Sequence, residues 1–165
     1  MGAKWKDADV SHDEAGRPRP AQADDAAQLL ALWQCLFDEM RSPTSTTWRE
    51  QALDWFARHV DDRALARIAV IEVAGELVAS AVGTLEIGVP NPMSPTGRGV
   101  RLANVITLPA YRGRGYATEL IRDVVAWARA AGVDRIDLSA TPEGQRIYQR
   151  LGFTPASAPR LKRIL

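Results

Sequence analysis

Six consecutive residues, Arg112-Gly113-Arg114-Gly115-Tyr116-Ala117, have the make-up of an anion-binding turn. Two glycines let the main chain approach a bulky phosphate with no Cβ in the way. Arg112 and Arg114 add positive charge, and Thr118 follows with a hydroxyl. Such a turn also serves as an ordinary strand-to-helix connection, so its chemistry depends on what surrounds it. Two familiar phosphate loops are excluded: the chain has no G-x-x-x-x-G-K-[ST], and the full G-x-G-x-x-G is absent. A second block, Thr141-Pro142-Glu143-Gly144-Gln145-Arg146-Ile147-Tyr148-Gln149-Arg150-Leu151-Gly152-Phe153, places the phenol of Tyr148 just before a Gly-Phe pair. A phenol there can donate to a developing anion, or simply satisfy its own hydroxyl while half-buried.

The elements that must position these groups are legible on either side. Val100 to Leu108 is apolar and β-branched, and reads as a buried strand ended by Pro109. After the turn, Leu120, Ile121, Val124, Val125, Ala128 and Ala131 draw one apolar stripe along a helix. A strand therefore enters the glycine turn and the turn opens a helix. The first N–H groups of a helix lack internal partners and carry the positive end of its dipole. Arg135 to Ser139 reads as a second buried strand, and Thr141 with Pro142 as the N-cap and first position of a further helix.

Together the blocks resemble the GNAT superfamily of acyl-CoA-dependent N-acetyltransferases. Arg112-x-x-Gly115-x-Ala117 is similar to that family's Q/R-x-x-G-x-G/A pyrophosphate loop, and Tyr148-x-x-x-Gly152-Phe153 to its Y-x-x-x-G-F segment. The resemblance implies an α/β (α+β) fold whose mixed, mostly antiparallel central sheet is flanked by helices. It also implies that the fourth and fifth strands splay apart to admit a pantetheine arm. Periodicity alone gives only an α/β chain with a mixed sheet.

The same resemblance implies transfer of an acetyl group from acetyl-CoA to a primary amine of a small molecule or protein, by direct attack in a ternary complex. The different class left open is a catalytically silent module that binds acyl-CoA as a sensor or scaffold. The implied cofactor site is the main chain of Gly113, Arg114, Gly115, Tyr116 and Ala117 with the Thr118 hydroxyl on the pyrophosphate. Arg112 and Arg114 reach for phosphates, or Arg114 merely faces solvent. Val105, Ile106 and Thr107 offer strand backbone to pantetheine. Tyr148 matches the tyrosine that sits near the thioester sulfur as general acid. Where the family often carries Asn and Ala, seven and four residues before that tyrosine, this chain has Thr141 and Gly144. An amine with a pKa near 10.4 costs about 4.6 kcal/mol to deprotonate at pH 7, so a base or desolvation must help. Glu86, at the end of a strand, is the candidate base, with an ordinary solvated carboxylate as the alternative. Asp38 and Glu39 close the first helix, a boundary that in the family often lines the acceptor site; either holds a cationic amine or is an ordinary helix-end acid. Asn104 and Ser139 are polar residues on apolar strands, fit either to hold a relay water or to face solvent.

The rest of the chain divides simply. Met1–Arg17 is polar and aperiodic and reads as a flexible leader, with one domain over 18–165. Arg19-Pro20-Ala21 is a short candidate strand. Asp25 with Gln28 signals a capping box for a first helix carrying Leu29, Leu32, Trp33, Leu36, Phe37 and Met40 inward, broken at Ser42-Pro43-Thr44-Ser45. Thr47 with Glu50 starts a second, with Ala52, Leu53, Phe56 and Val60 inward. Strands Arg67–Val73 and Leu77–Ile87 turn at Ala74-Gly75. The loop from Gly88 to Gly99 is either a lid or acceptor-selecting wall, or a rigid connector. Pro155 and Pro159 bound a last loop, and Arg160–Leu165 is a candidate closing strand.

Composition narrows the partners. With 21 basic and 20 acidic residues, no chain-wide field recruits nucleic acid or an acidic membrane. A single cysteine, Cys35, excludes an internal disulfide and reads as a buried thiol; His12 and His59 make a poor zinc set, so no metal is expected. No apolar run spans a bilayer, no signal core begins the chain, and Lys6 replaces the Ser or Thr of a myristoylation motif. A cytoplasmic enzyme is expected, and a homodimer is compatible with the family.

Overall fold

The computed structural model describes residues 16–43, 45–158 and 160–165. Most of the predicted leader, together with Thr44 and Pro159, therefore lies outside the described residues. Five strands lie side by side in chain order: β1 (Arg19–Pro20), β2 (Ala66–Val73), β3 (Glu76–Ile87), β4 (Arg98–Thr107) and β5 (Arg135–Asp137). The first four pair antiparallel and β5 joins β4 in parallel. This is the mixed, mostly antiparallel sheet expected.

Helices α1 (Ala26–Glu39) and α2 (Thr47–His59) cover one face, where Leu29, Leu32, Trp33 and Phe56 meet Ile68, Val70, Val82 and Ile106. Helices α3 (Tyr116–Ala130) and α4 (Gln145–Arg150) cover the other. There the predicted stripe buries Leu120, Ile121, Val124 and Ala128 against Ile71, Val78, Val100 and Leu102. Each Leu, Ile or Val among them contributes about 1.5–3 kcal/mol when taken fully out of water. α3 packs so closely on β3 that a Cβ at Gly83 would stand 2.6 Å from Val124 Cγ1. A two-pronged ion pair, Arg67 Nε and Nη2 to the two oxygens of Asp123 (2.7 Å each), ties β2 to α3.

Several local expectations change. Asp25 does not pair with Gln28. Its carboxylate instead accepts from the Gln22 N–H at 2.7 Å and takes two hydrogen bonds from Arg19, which also reaches Glu72. Burial alone would raise the Asp25 pKa, but the Arg19 and Gln22 hydrogen bonds outweigh it and hold the carboxyl below its usual range. Gln28 is spent on the β2–β3 hairpin, accepting from Leu77 N–H at 2.8 Å. Leu53 and Met40 are exposed rather than inward, and Cys35 is half-buried. α2 starts at Thr47 with no side-chain cap. Thr141 does accept from Gly144 N–H at 3.1 Å, but it caps a turn that precedes α4.

β4 begins at Arg98, so Gly99 belongs to the sheet rather than to the loop before it. The remaining loop is anchored by Asp134, whose Oδ2 accepts from Ser94 Oγ, Thr96 Oγ1 and Thr96 N–H at 2.7–2.9 Å. Those bonds also lower the Asp134 pKa. β5 ends at Asp137, short of the predicted Ser139. Arg160–Leu165 forms no strand and lies exposed, because a three-residue edge offers too short a ladder to offset the entropy of ordering another segment.

Candidate functional site

The site is an opening in the sheet. β4 and β5 pair only over Gly99–Arg101 with Arg135–Asp137. From Leu102 to Thr107, β4 continues without a strand on that side among the described residues; Arg112 Nε takes Thr107 O and Ser80 Oγ reaches Asn104 O, and the rest of that edge is available to another partner. Within the same stretch β4 carries a bulge. Val82 faces Ala103 and Ser80 faces Ile106, leaving Asn104 and Val105 opposite Ala81. Asn104 accommodates the extra residue with a φ of 50°, a left-handed conformation that Asn tolerates better than most residues. Its polarity on an apolar strand was the visible signal; the bulge was not.

β4 runs into a turn at Pro109–Tyr111 and then into the glycine loop. Gly113 and Gly115 have φ values of 77° and 83°, and nothing lies within 4 Å of where a Cβ would project from either. The cradle is open. The first α3 bond runs from Glu119 N–H to Gly115 O at 3.1 Å, so the N–H groups of Tyr116, Ala117 and Thr118 have no intrahelical acceptor. Thr107 Oγ1 is buried with no hydrogen-bond partner among the described residues. Among the described residues, an open cradle, N–H donors without an acceptor and the partnerless Thr107 hydroxyl fit a diphosphate and its amide-bearing arm.

The two loop arginines are parked against the protein. Arg112 Nε donates to Thr107 O at 3.0 Å, and its Nη2 reaches Glu39 Oε1 at 2.5 Å. That last contact joins the end of α1 to the glycine loop, and nothing in the sequence signals it. Arg114 stands over the Tyr111 ring with its Cζ 5.0 Å from the centroid.

Val105, Tyr116 and Tyr148 pack on the same core beneath α3. Tyr148 sits edge-on to Phe153, centroids 5.8 Å apart, and the two rings help wall a cavity of about 320 Å³ with Ile136 and Pro142. Burial pushes the Tyr148 phenol above its ordinary pKa. Ile106 turns its side chain to the α1 face and leaves only backbone for the opening. Thr141 is exposed, its oxygen engaged by Gly144.

Glu86 stands apart from this group. It pairs in register with Gly99, four β3 positions from Val82 and the bulge, which at the rise of a strand is about 13 Å. It is exposed and ion-paired to Arg101 Nε at 3.4 Å. Ser139 is also exposed, past the end of β5.

Known proteins share this fold. Residues 29–153, most of the chain and both motifs, match the Acetyltransferase (GNAT) family. The chain belongs to the GNAT acetyltransferase family. A predicted acetyltransferase of Clostridium acetobutylicum, solved with acetyl-CoA, superposes with a TM-score of 0.80 at 23% identity, over 89% of this chain and 95% of that one. A GCN5-related N-acetyltransferase of Ralstonia eutropha JMP134 superposes with a TM-score of 0.78, also at 23% identity, over 89% and 97%. In sequence, the chain is 33% identical over 59 residues to the uncharacterized N-acetyltransferase YobR of Bacillus subtilis (strain 168). That match covers 34% of this chain and 24% of YobR, so the chain spans about a quarter of that relative's length. Among the described residues no helix of this GNAT chain is long and apolar enough to cross a membrane.

Proposed function

We propose that this chain transfers an acetyl group from acetyl-CoA to a primary amine of a small molecule or protein, by direct attack in a ternary complex. The observation that carries the reading is the open start of α3, where left-handed Gly113 and Gly115 and the free N–H groups of Tyr116 to Thr118 form an anion cradle at the mouth of the β4–β5 opening. Acetyl-CoA supplies an activated acetyl group. The chain's own residues hold and steer it: the Gly113–Ala117 main chain and the Thr118 hydroxyl take the diphosphate. The edge at Val105–Thr107, where Arg112 now holds Thr107 O, takes the pantetheine amides. Thr107 Oγ1 gains the partner it lacks.

Nitrogen bonds to the acetyl carbon, the C–S bond breaks, and the amine's extra proton must leave. A phenol of pKa 10 gives its proton to a thiolate near 8.5 at a cost of about 2 kcal/mol, and burial of Tyr148 increases that cost. Tyr148 therefore acts as a hydrogen-bond donor to the departing sulfur rather than as a full proton source. Glu86, about 13 Å along the strand from the bulge, receives the amine proton only through intervening water.

The test is release of CoA thiol across a panel of amines, with the chain and acetyl-CoA both present. Glu86's separation and its pairing with Arg101 favour a second reading, a silent acyl-CoA-binding module. Carrier binding without thiol release from any amine selects that reading.

A further inference from the structure

A cavity of about 350 Å³ lies between the end of α1 and the start of α2. Its chemistry is bipolar. Gln34 Nε2 donates to Asp38 Oδ1 at 2.7 Å, and Gln34 Oε1 accepts from Arg49 Nη1 at 2.8 Å. One neutral amide thus stands between a carboxylate and a guanidinium, and among the described residues neither charge makes an ion pair. Each retains unspent capacity, the second oxygen on Asp38 and the remaining N–H donors on Arg49. Phe37 and Trp48, edge to face at 5.1 Å, supply an apolar wall.

We infer that this cavity is the acceptor pocket and that it takes a small amino carboxylate with an apolar body, an apolar amino acid being the simplest case. The ammonium faces Asp38, the carboxylate faces Arg49, and the hydrocarbon lies on Phe37 and Trp48. Two opposite charges hydrogen-bonded to the two ends of one amide match a ligand whose ammonium and carboxylate are both attached to one carbon. They suit a simple alkylamine less well, because Arg49 would then meet an apolar group or a like charge. The pocket is also tied to the carrier loop: Glu39, next to Asp38, holds Arg112. The inference rests on the acetyltransferase reading and names the substrate class for it.

The experiment uses the full chain with CoA present and compares amino acids with the amines lacking only their carboxylate, phenylalanine against phenethylamine and leucine against isopentylamine. Calorimetry reads binding independently of turnover. In at least one pair the amino acid is expected to bind about tenfold or more tighter, the contribution of a charge-assisted hydrogen bond. Arg49→Gln should bring that ratio close to one. Asp38→Asn should weaken both members alike, because both carry the ammonium. Acetyl-CoA affinity of both variants, measured alongside, reports whether the fold is intact. Equal binding within both pairs by the unsubstituted chain overturns the inference without recourse to any variant. So does an Arg49→Gln protein that binds acetyl-CoA normally and keeps the preference. A clear amino-acid preference without thiol release would instead overturn the acetyltransferase reading and leave the pocket assignment standing.

Discussion

Tyr148 is held in apolar surroundings that raise its pKa, so its hydroxyl stays protonated well above neutral pH and available as a donor. Removing that oxygen should cost the transferred charge its partner without disturbing the carrier's grip. Tyr148→Phe is expected to slow acetyl transfer well over tenfold, since losing one donor to a developing anion costs about 10²–10³ in rate, with acetyl-CoA affinity nearly unchanged. Steady-state kinetics and calorimetry on the same preparation check it; an unchanged rate removes Tyr148 from the mechanism. Asp25 makes a prediction of opposite character, about stability alone. Its pKa is lowered in the fold, so its contribution is complete above the unfolded value near 3.9 and fades as pH falls through the lower folded value. Asp25→Asn should destabilise the protein by about 1.5–3 kcal/mol at pH 7, where Arg19 keeps only Glu72 and the Gln22 N–H loses its charged acceptor. The deficit should shrink in acid, as urea unfolding at pH 7 and pH 3 would show; a deficit constant with pH contradicts the assignment.

Among the elements, the start of α3 was the most legible in the sequence, because apolar periodicity and glycine spacing both depend on local geometry. Leu120, Ile121, Val124 and Ala128 had to share a face, and Gly115 had to allow a left-handed φ. What depends on distant partners was not legible. Asp25 followed by Gln28 has the spacing of a capping box, yet Arg19 and the β2–β3 hairpin claimed both side chains. Asn104 marked a departure from an apolar strand, but only pairing with β3 makes it a bulge. Arg160–Leu165, a candidate closing strand, finds no edge long enough to join.

Two substitutions probe these elements. Gly115→Ala should cost about 1–2 kcal/mol from the left-handed backbone alone. It should weaken acetyl-CoA binding by at least about tenfold, because the new methyl enters the cradle that only a residue without Cβ keeps open. Thermal melts and carrier titration separate the two effects. Asp134→Ala removes the acceptor shared by Ser94 and Thr96. Amides of residues 88–97 should then exchange faster with deuterium, while those of α3 stay protected. No change in that loop would mean the anchor is idle.

At the scale of the whole molecule, one sheet with a core on each face carries two ends of a reaction. The α3–α4 face supplies the carrier cradle and Tyr148; the α1–α2 face supplies the bipolar cavity. Contact between the two passes through Glu39 and Arg112. The family fold was legible because the two motifs fix their order around one helix and one strand, and sheet order then follows. The substrate was not legible, because Gln34, Asp38 and Arg49 meet only when α2 folds back on α1. The central claim is that the helix start beside the opened sheet binds the diphosphate of acetyl-CoA. Titration calorimetry of the intact chain with acetyl-CoA tests it most directly. The account predicts saturable one-to-one binding, a melting temperature that rises with carrier concentration, and binding at least about tenfold weaker in Gly115→Ala. No heat and no stabilisation at millimolar acetyl-CoA, or equal binding by Gly115→Ala, would contradict it.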